Sequence, residues 1–118
     1  MTRGDVIIVD FPFSDRTGSK VRPALIVQAD DFNARLSDTI IALITSSRVR
    51  FVGAAAQLPI DISTPEGRAT GLRLPSVVQC ENLVTIDQSF VLRTIGRLPD
   101  TLMKRIDGCL KAALGIKS

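Results

Sequence analysis

Gly4-Asp5-Val6-Ile7-Ile8-Val9-Asp10-Phe11-Pro12-Phe13 and, after a turn, Val21-Arg22-Pro23-Ala24-Leu25-Ile26-Val27 decide how this chain is read. Residues 6–13 are apolar and β-branched with little alternation, the pattern of a well-buried strand. Residues 14–20 hold Asp15 and Gly18, which suit a polar turn. Residues 21–28 form the returning strand. Pro23 lacks a backbone donor, so its N side is expected at an edge or a bulge. Two apolar strands and a turn make a hairpin. They do not explain an arginine standing at the mouth of the second strand.

Outward from the hairpin, residues 30–36 read as a short helix with Asp30 and Asp31 at its positive end. Residues 39–45 (Thr-Ile-Ile-Ala-Leu-Ile-Thr) read as a third, central strand, and residues 54–62 as a fourth, stopped by Ser63-Thr64-Pro65-Glu66-Gly67. Residues 76–80 and 90–98 supply two more. After Pro99-Asp100, the residues Leu102, Met103, Ile106, Leu110, Ala113 and Leu114 recur at helical spacing, and Gly115 ends the helix. The fold class is therefore mainly β with helices (α+β). A single domain over residues 1–118 forms a small antiparallel barrel, with the short helix and the C-terminal helix packed outside.

Composition narrows the chemistry. The 118 residues contain no histidine, which excludes Ser-His-Asp and Cys-His mechanisms and histidine-based metal sites. No cluster of carboxylates near the hairpin suggests a magnesium site, so no metal or cofactor is expected. Cys80 and Cys109 sit in apolar surroundings and read as buried thiols in a reducing cytoplasm, not as a disulfide framework. The start of the chain does not read as a signal peptide and no stretch is apolar enough to span a bilayer, so a cytoplasmic protein with no membrane partner is expected. Net charge is only +3, but eleven of the 15 basic residues are arginine. Arginine matches phosphate oxygens bidentately, so the bias fits a nucleic-acid partner; codon usage would produce it equally well. With five phenylalanines and no tryptophan or tyrosine, a broad base-stacking platform is not expected.

The frame Arg22-Pro23, followed farther on by Ala42-Leu43-Ile44-Thr45-Ser46-Ser47, resembles the MazF/PemK family of bacterial toxins, which cut RNA. The resemblance covers nearly the whole chain. It implies an SH3-like barrel of the kind shared with the gyrase poison CcdB. It also implies that Arg22 is catalytic, with its fixed guanidinium stabilising the charge that builds on the phosphoryl oxygens. Thr45 is carried over as its catalytic partner and Ser46 as a substrate contact. Glu81 matches a position where some relatives place a general base. Those relatives have an arginine two residues earlier, where this chain has the uncharged Gln79. Gln79 and Asn82 are read as substrate contacts beside it. In the turn, Arg16, Ser19 and Lys20 face the expected RNA path, and Lys20 falls where relatives carry a glutamate. Arg48 is a further contact, and Arg50, Arg68 and Arg73 extend the basic track.

The function implied is metal-independent, sequence-specific cleavage of single-stranded RNA by its own 2′-hydroxyl. The partners implied are RNA, a cognate antitoxin, a second copy of the chain in a homodimer, and operator DNA once the antitoxin is bound. The alternatives are a non-catalytic gyrase poison of the CcdB kind, or an inactive relative that retains antitoxin binding.

Overall fold

The computed structural model describes residues 1–11, 20–46 and 55–117. Arg16, Ser19, Ser47, Arg48 and Arg50 lie outside these residues, as does most of the expected turn, and of Lys20 only the backbone is described. The elements are β1 (Asp5–Phe11), β2 (Lys20–Ile26), α1 (Asp30–Arg35), β3 (Asp38–Ser46), β4 (Gln57–Ile60), α2 (Pro65–Ala69), β5 (Ser76–Asp87), a 3₁₀ turn (Gln88–Phe90), β6 (Val91–Arg97) and α3 (Asp100–Leu114). The strands form one antiparallel sheet in the order β4-β5-β3-β2-β1-β6.

Apolar runs without alternation arise because the central strands are covered on both faces. On one face Val6, Leu25, Ala42, Ile44 and Val78 pack with Met103, Ile106 and Cys109 of α3. On the other, Ile7, Val9, Ala24, Ile26, Ile41 and Ile86 form a second core, with Phe90 and Val91 against it. The α3 stripe is as expected at Met103 and Ile106, but Cys109 joins it and Leu114 is exposed. Gly115 ends α3 in the left-handed conformation, with φ 71°.

Three elements differ from the sequence reading. β4 spans Gln57–Ile60, shorter than residues 54–62. The segment that looked like a stop signal is the start of α2: Thr64 accepts a 2.9 Å hydrogen bond from the Gly67 amide and Pro65 opens the helix. β5 continues past residue 80 to Asp87, bent where Leu43 pairs with Gln79 but Ala42 pairs with Leu83. Cys80, Glu81 and Asn82 are the extra residues of that bulge.

The connection from α2 to β5 crosses to the opposite edge of the sheet and closes it. A Cβ on Gly71 (φ +75°) would lie 2.0 Å from the Ile95 carbonyl oxygen, and a Cβ on Gly96 would lie 2.3 Å from the Thr70 carbonyl carbon. Only glycines allow these two backbones to approach so closely. Buried Thr70 fixes the turn by donating to the Gly67 carbonyl (2.6 Å) and accepting from the Leu72 amide (3.2 Å).

Candidate active site

Pro23 shapes the site. β2 pairs with β1 from Lys20 to Leu25, with Pro23 opposite Ile8 and Arg22 opposite Val9. Its pairing with β3 covers only Ala24, Leu25 and Ile26. Without an N–H, Pro23 cannot extend that ladder. β3 nevertheless runs on to Thr45 and Ser46, held on its other side by Val77 and Ser76 of β5. The expected ladder defect is therefore present, and the sheet parts between β2 and β3.

The parting is the mouth of a cleft of about 760 Å³. Arg22 and Pro23 line one side, and Ile44, Thr45 and Ser46 line the other. The α2–β5 connection adds Gly71, Leu72, Arg73 and Leu74, and β6 adds Arg93, Thr94 and Ile95. Arg22 is exposed, while Thr45 and Ser46 are half-buried at the strand end. Among the described residues, no carboxylate lies within ion-pair distance of Arg22, Arg73 or Arg93. Other arginines are engaged: Arg3 pairs with Asp107 at 2.7 Å, Arg97 with Asp5 at 3.4 Å, and Arg68 donates to the Ser63 carbonyl at 2.7 Å.

The structure thus brings Arg22, Thr45 and Ser46 together. Glu81, Gln79 and Asn82 do not line this cleft. They cluster at the β5 bulge, where Gln57 Nε2 donates to Glu81 Oε2 at 2.5 Å and Asn82 Nδ2 donates to Gln79 Oε1 at 3.0 Å. Sequence reasoning gave Arg73 only a general place in a basic track and passed over Arg93. Residues 92–97 look like an ordinary edge strand, and only the pairing of Arg93 with Ile8 brings its side chain to the cleft.

The cysteines are core groups. Burial first, then the neighbouring Cys109 thiol and Glu81, push the Cys80 thiol up to about 12, and burial raises Cys109 as well. A thiol held protonated is a poor nucleophile. Among the described residues, no three Cys, Asp or Glu side chains stand together as a metal-ligand set. None of the described helices is long and apolar enough to cross a membrane.

Guanidinium groups and hydroxyls around a partly apolar cleft make this a barrel suited to a phosphodiester ligand. Residues 2–114 match the family of PemK-like, MazF-like toxins of type II toxin–antitoxin systems. The chain belongs to that family. It is 33% identical over 120 residues to endoribonuclease MazF6 of Mycobacterium tuberculosis, covering 98% of each chain. The solved structure of the Mycobacterium tuberculosis toxin MazF-mt6 superposes with a TM-score of 0.77 at 27% identity, covering 97% of this chain and 99% of that one. A mycobacterial endoribonuclease solved in complex with its cognate antitoxin shares the fold, with TM-score 0.77, 21% identity, and coverage of 100% of this chain and 98% of the other.

Proposed function

We propose that this protein is a metal-independent endoribonuclease toxin that cuts single-stranded RNA at the cleft between β2 and β3. The observation that carries this reading is the end of the β2–β3 ladder at Pro23, which sets Arg22 and Thr45 on the two sides of one open cleft. RNA lies with its scissile phosphate between them. The 2′-oxygen attacks phosphorus and the bond to the 5′-oxygen breaks; the 2′ proton passes to a general base and the departing 5′-oxygen takes a proton from water. A 2′,3′-cyclic phosphate and a 5′-hydroxyl result. Arg22 acts on the negative charge that grows on the nonbridging oxygens, where a fixed guanidinium stabilises the transition state. The Thr45 hydroxyl donates to one of those oxygens and accepts from the 2′-hydroxyl, holding both in reacting geometry. Ser46 contacts the substrate next to it.

The family resemblance gives Glu81 the role of general base; among the described residues it stands at the β5 bulge, hydrogen-bonded by Gln57 and not in the cleft lining. Gln79 and Asn82 beside it are substrate contacts, as the resemblance implies. Arg16, Ser19, Lys20 and Arg48 are further substrate contacts, as the resemblance implies. By family kinship the toxin works as a homodimer, is neutralised by a cognate antitoxin that fills the RNA grooves, and binds operator DNA only as that complex.

The reading is tested by incubating a mixed RNA with the protein in EDTA and analysing the ends. Cleavage leaving cyclic-phosphate and 5′-hydroxyl ends supports it, and substitution of 2′-deoxy at the cut nucleotide should stop it. An intact RNA, or cleavage that needs added magnesium or manganese, refutes it. The first of those results, with gyrase inhibited instead, would favour the gyrase-poison reading.

A further inference from the structure

Arg73 and Arg93 have no role in the chemistry above, yet both line the same cleft as Arg22. Arg93 pairs with Ile8 and Arg22 with Val9, on strands either side of β1. Their backbones are therefore two strand spacings apart, roughly 10 Å. Arg73 reaches the cleft because Gly71 and Gly96 let its loop lie directly on β6. The same cleft is also lined by the apolar side chains of Ile8, Leu72, Leu74 and Ile95. Leu74 is 62% exposed, a large apolar side chain left open to water at the lip of a cationic cleft.

We infer that Arg73 and Arg93 form a second phosphate-binding pair that seats the nucleotide next to the cut site. The flanking phosphodiester is held by the two guanidiniums, and its base lies on Leu72, Leu74 and Ile95. This rests on the RNA-cleavage reading above and assigns that site a second subsite. The charge favours it: the described part of the cleft is lined by three arginines and no acidic side chain. The apolar lining favours a nucleotide over free phosphate, because a base has an apolar face to bury.

The test compares wild type, Arg73→Ala, Arg93→Ala, Arg93→Lys and the remote Arg35→Ala on a cleavable RNA and its 2′-deoxy analogue. Arg35 pairs with Asp31 on α1, away from the cleft. The expected result is a KM raised roughly tenfold by either alanine variant, the scale of a lost charge-assisted contact, with a smaller effect on kcat. The slope of log affinity for the 2′-deoxy RNA against log salt should become shallower by about 0.7 per removed charge. Arg93→Lys should restore the slope, and Arg35→Ala should match wild type. RNAs shortened to the cut site on one side should lose their sensitivity to both substitutions; RNAs shortened on the other side should keep it. Unchanged KM and salt slope in the alanine variants overturn the subsite while leaving the catalytic reading intact. Sensitivity that survives shortening on either side overturns it too. Failure of wild type to cut any RNA overturns the reading beneath it.

Discussion

Replacing Gly71 with alanine tests whether the barrel closure builds one wall of the cleft. Gly71 sits at φ +75°, a conformation that costs an L-residue about 1–2 kcal/mol. Its new Cβ would stand 2.0 Å from the Ile95 carbonyl oxygen, where contacts below 3.0 Å do not occur, so the two backbones must separate by about 1 Å. Alanine also restricts the unfolded chain, which returns about 0.4–1 kcal/mol at sites free of strain. The separation loosens the packing of the loop on β6, and the expected net loss is about 2 kcal/mol. For a domain of this size that lowers Tm by roughly 6–12 °C. Gly108 is the internal control. It lies in α3, where an added Cβ would meet nothing within 4 Å, so Gly108→Ala should gain about 0.8–1 kcal/mol from helix propensity alone. Urea unfolding of both variants, read with the m-value, gives the two energies. At temperatures where it remains folded, Gly71→Ala should also raise KM for RNA toward the value of Arg73→Ala. A Gly71→Ala protein as stable as wild type, with unchanged KM, would refute the claim that this close approach positions the loop.

Two further predictions concern stability. Asn33 is buried and central to a polar knot: its amide donates to the Gln28 carbonyl at 3.0 Å, and its oxygen accepts from Thr39 Oγ1 at 2.7 Å and Gln28 Nε2 at 2.9 Å. Asn33→Ala leaves those partners unsatisfied and should cost about 2–3 kcal/mol by denaturant unfolding; a loss below about 0.5 kcal/mol, the level of an ordinary surface change, would contradict the knot's importance. The Cys80 thiol rises from 9.0 to about 12 in the folded chain. Its protonated form is favoured by folding, so its stabilising effect is complete below pH 9 and is lost as pH climbs toward 12. Wild-type stability should therefore fall through that window more steeply than that of Cys80→Ala, by up to about 1.4 kcal/mol per pH unit. Parallel curves would show that burial does not hold the thiol protonated.

Much of this was legible in the residues, for reasons that differ by element. β1, β2 and β3 were readable because they are apolar on both faces, and α3 because Met103 and Ile106 repeat at helical spacing. Arg22, Thr45 and Ser46 were singled out by the resemblance of their motifs to a family frame, since strand-end arginines and hydroxyls are ordinary by themselves; the structure shows that they line one cleft. α2 was missed because Thr64-Pro65-Glu66-Gly67 begins a five-residue helix with the same residues that make a turn. The extent of β5 was missed because its bulge breaks the alternation at Cys80-Glu81-Asn82. Arg93 was illegible in principle: its place depends on the register of β6 against β1, which shifts twice along the pair, and no local pattern encodes that.

The central claim is that Arg22 acts on charge that forms only as the phosphodiester is cut. Single-turnover cleavage of a defined RNA at saturating protein, in EDTA, compares wild type with Arg22→Ala. Arg22 is exposed at a strand mouth, so its loss should leave the fold intact, which circular dichroism verifies. The account predicts a rate lower by about 10²–10³, the usual cost of removing one such donor, with a much smaller change in affinity for the 2′-deoxy RNA. A folded Arg22→Ala protein that cuts within about tenfold of the wild-type rate, far short of that range, would contradict it and place the chemistry elsewhere.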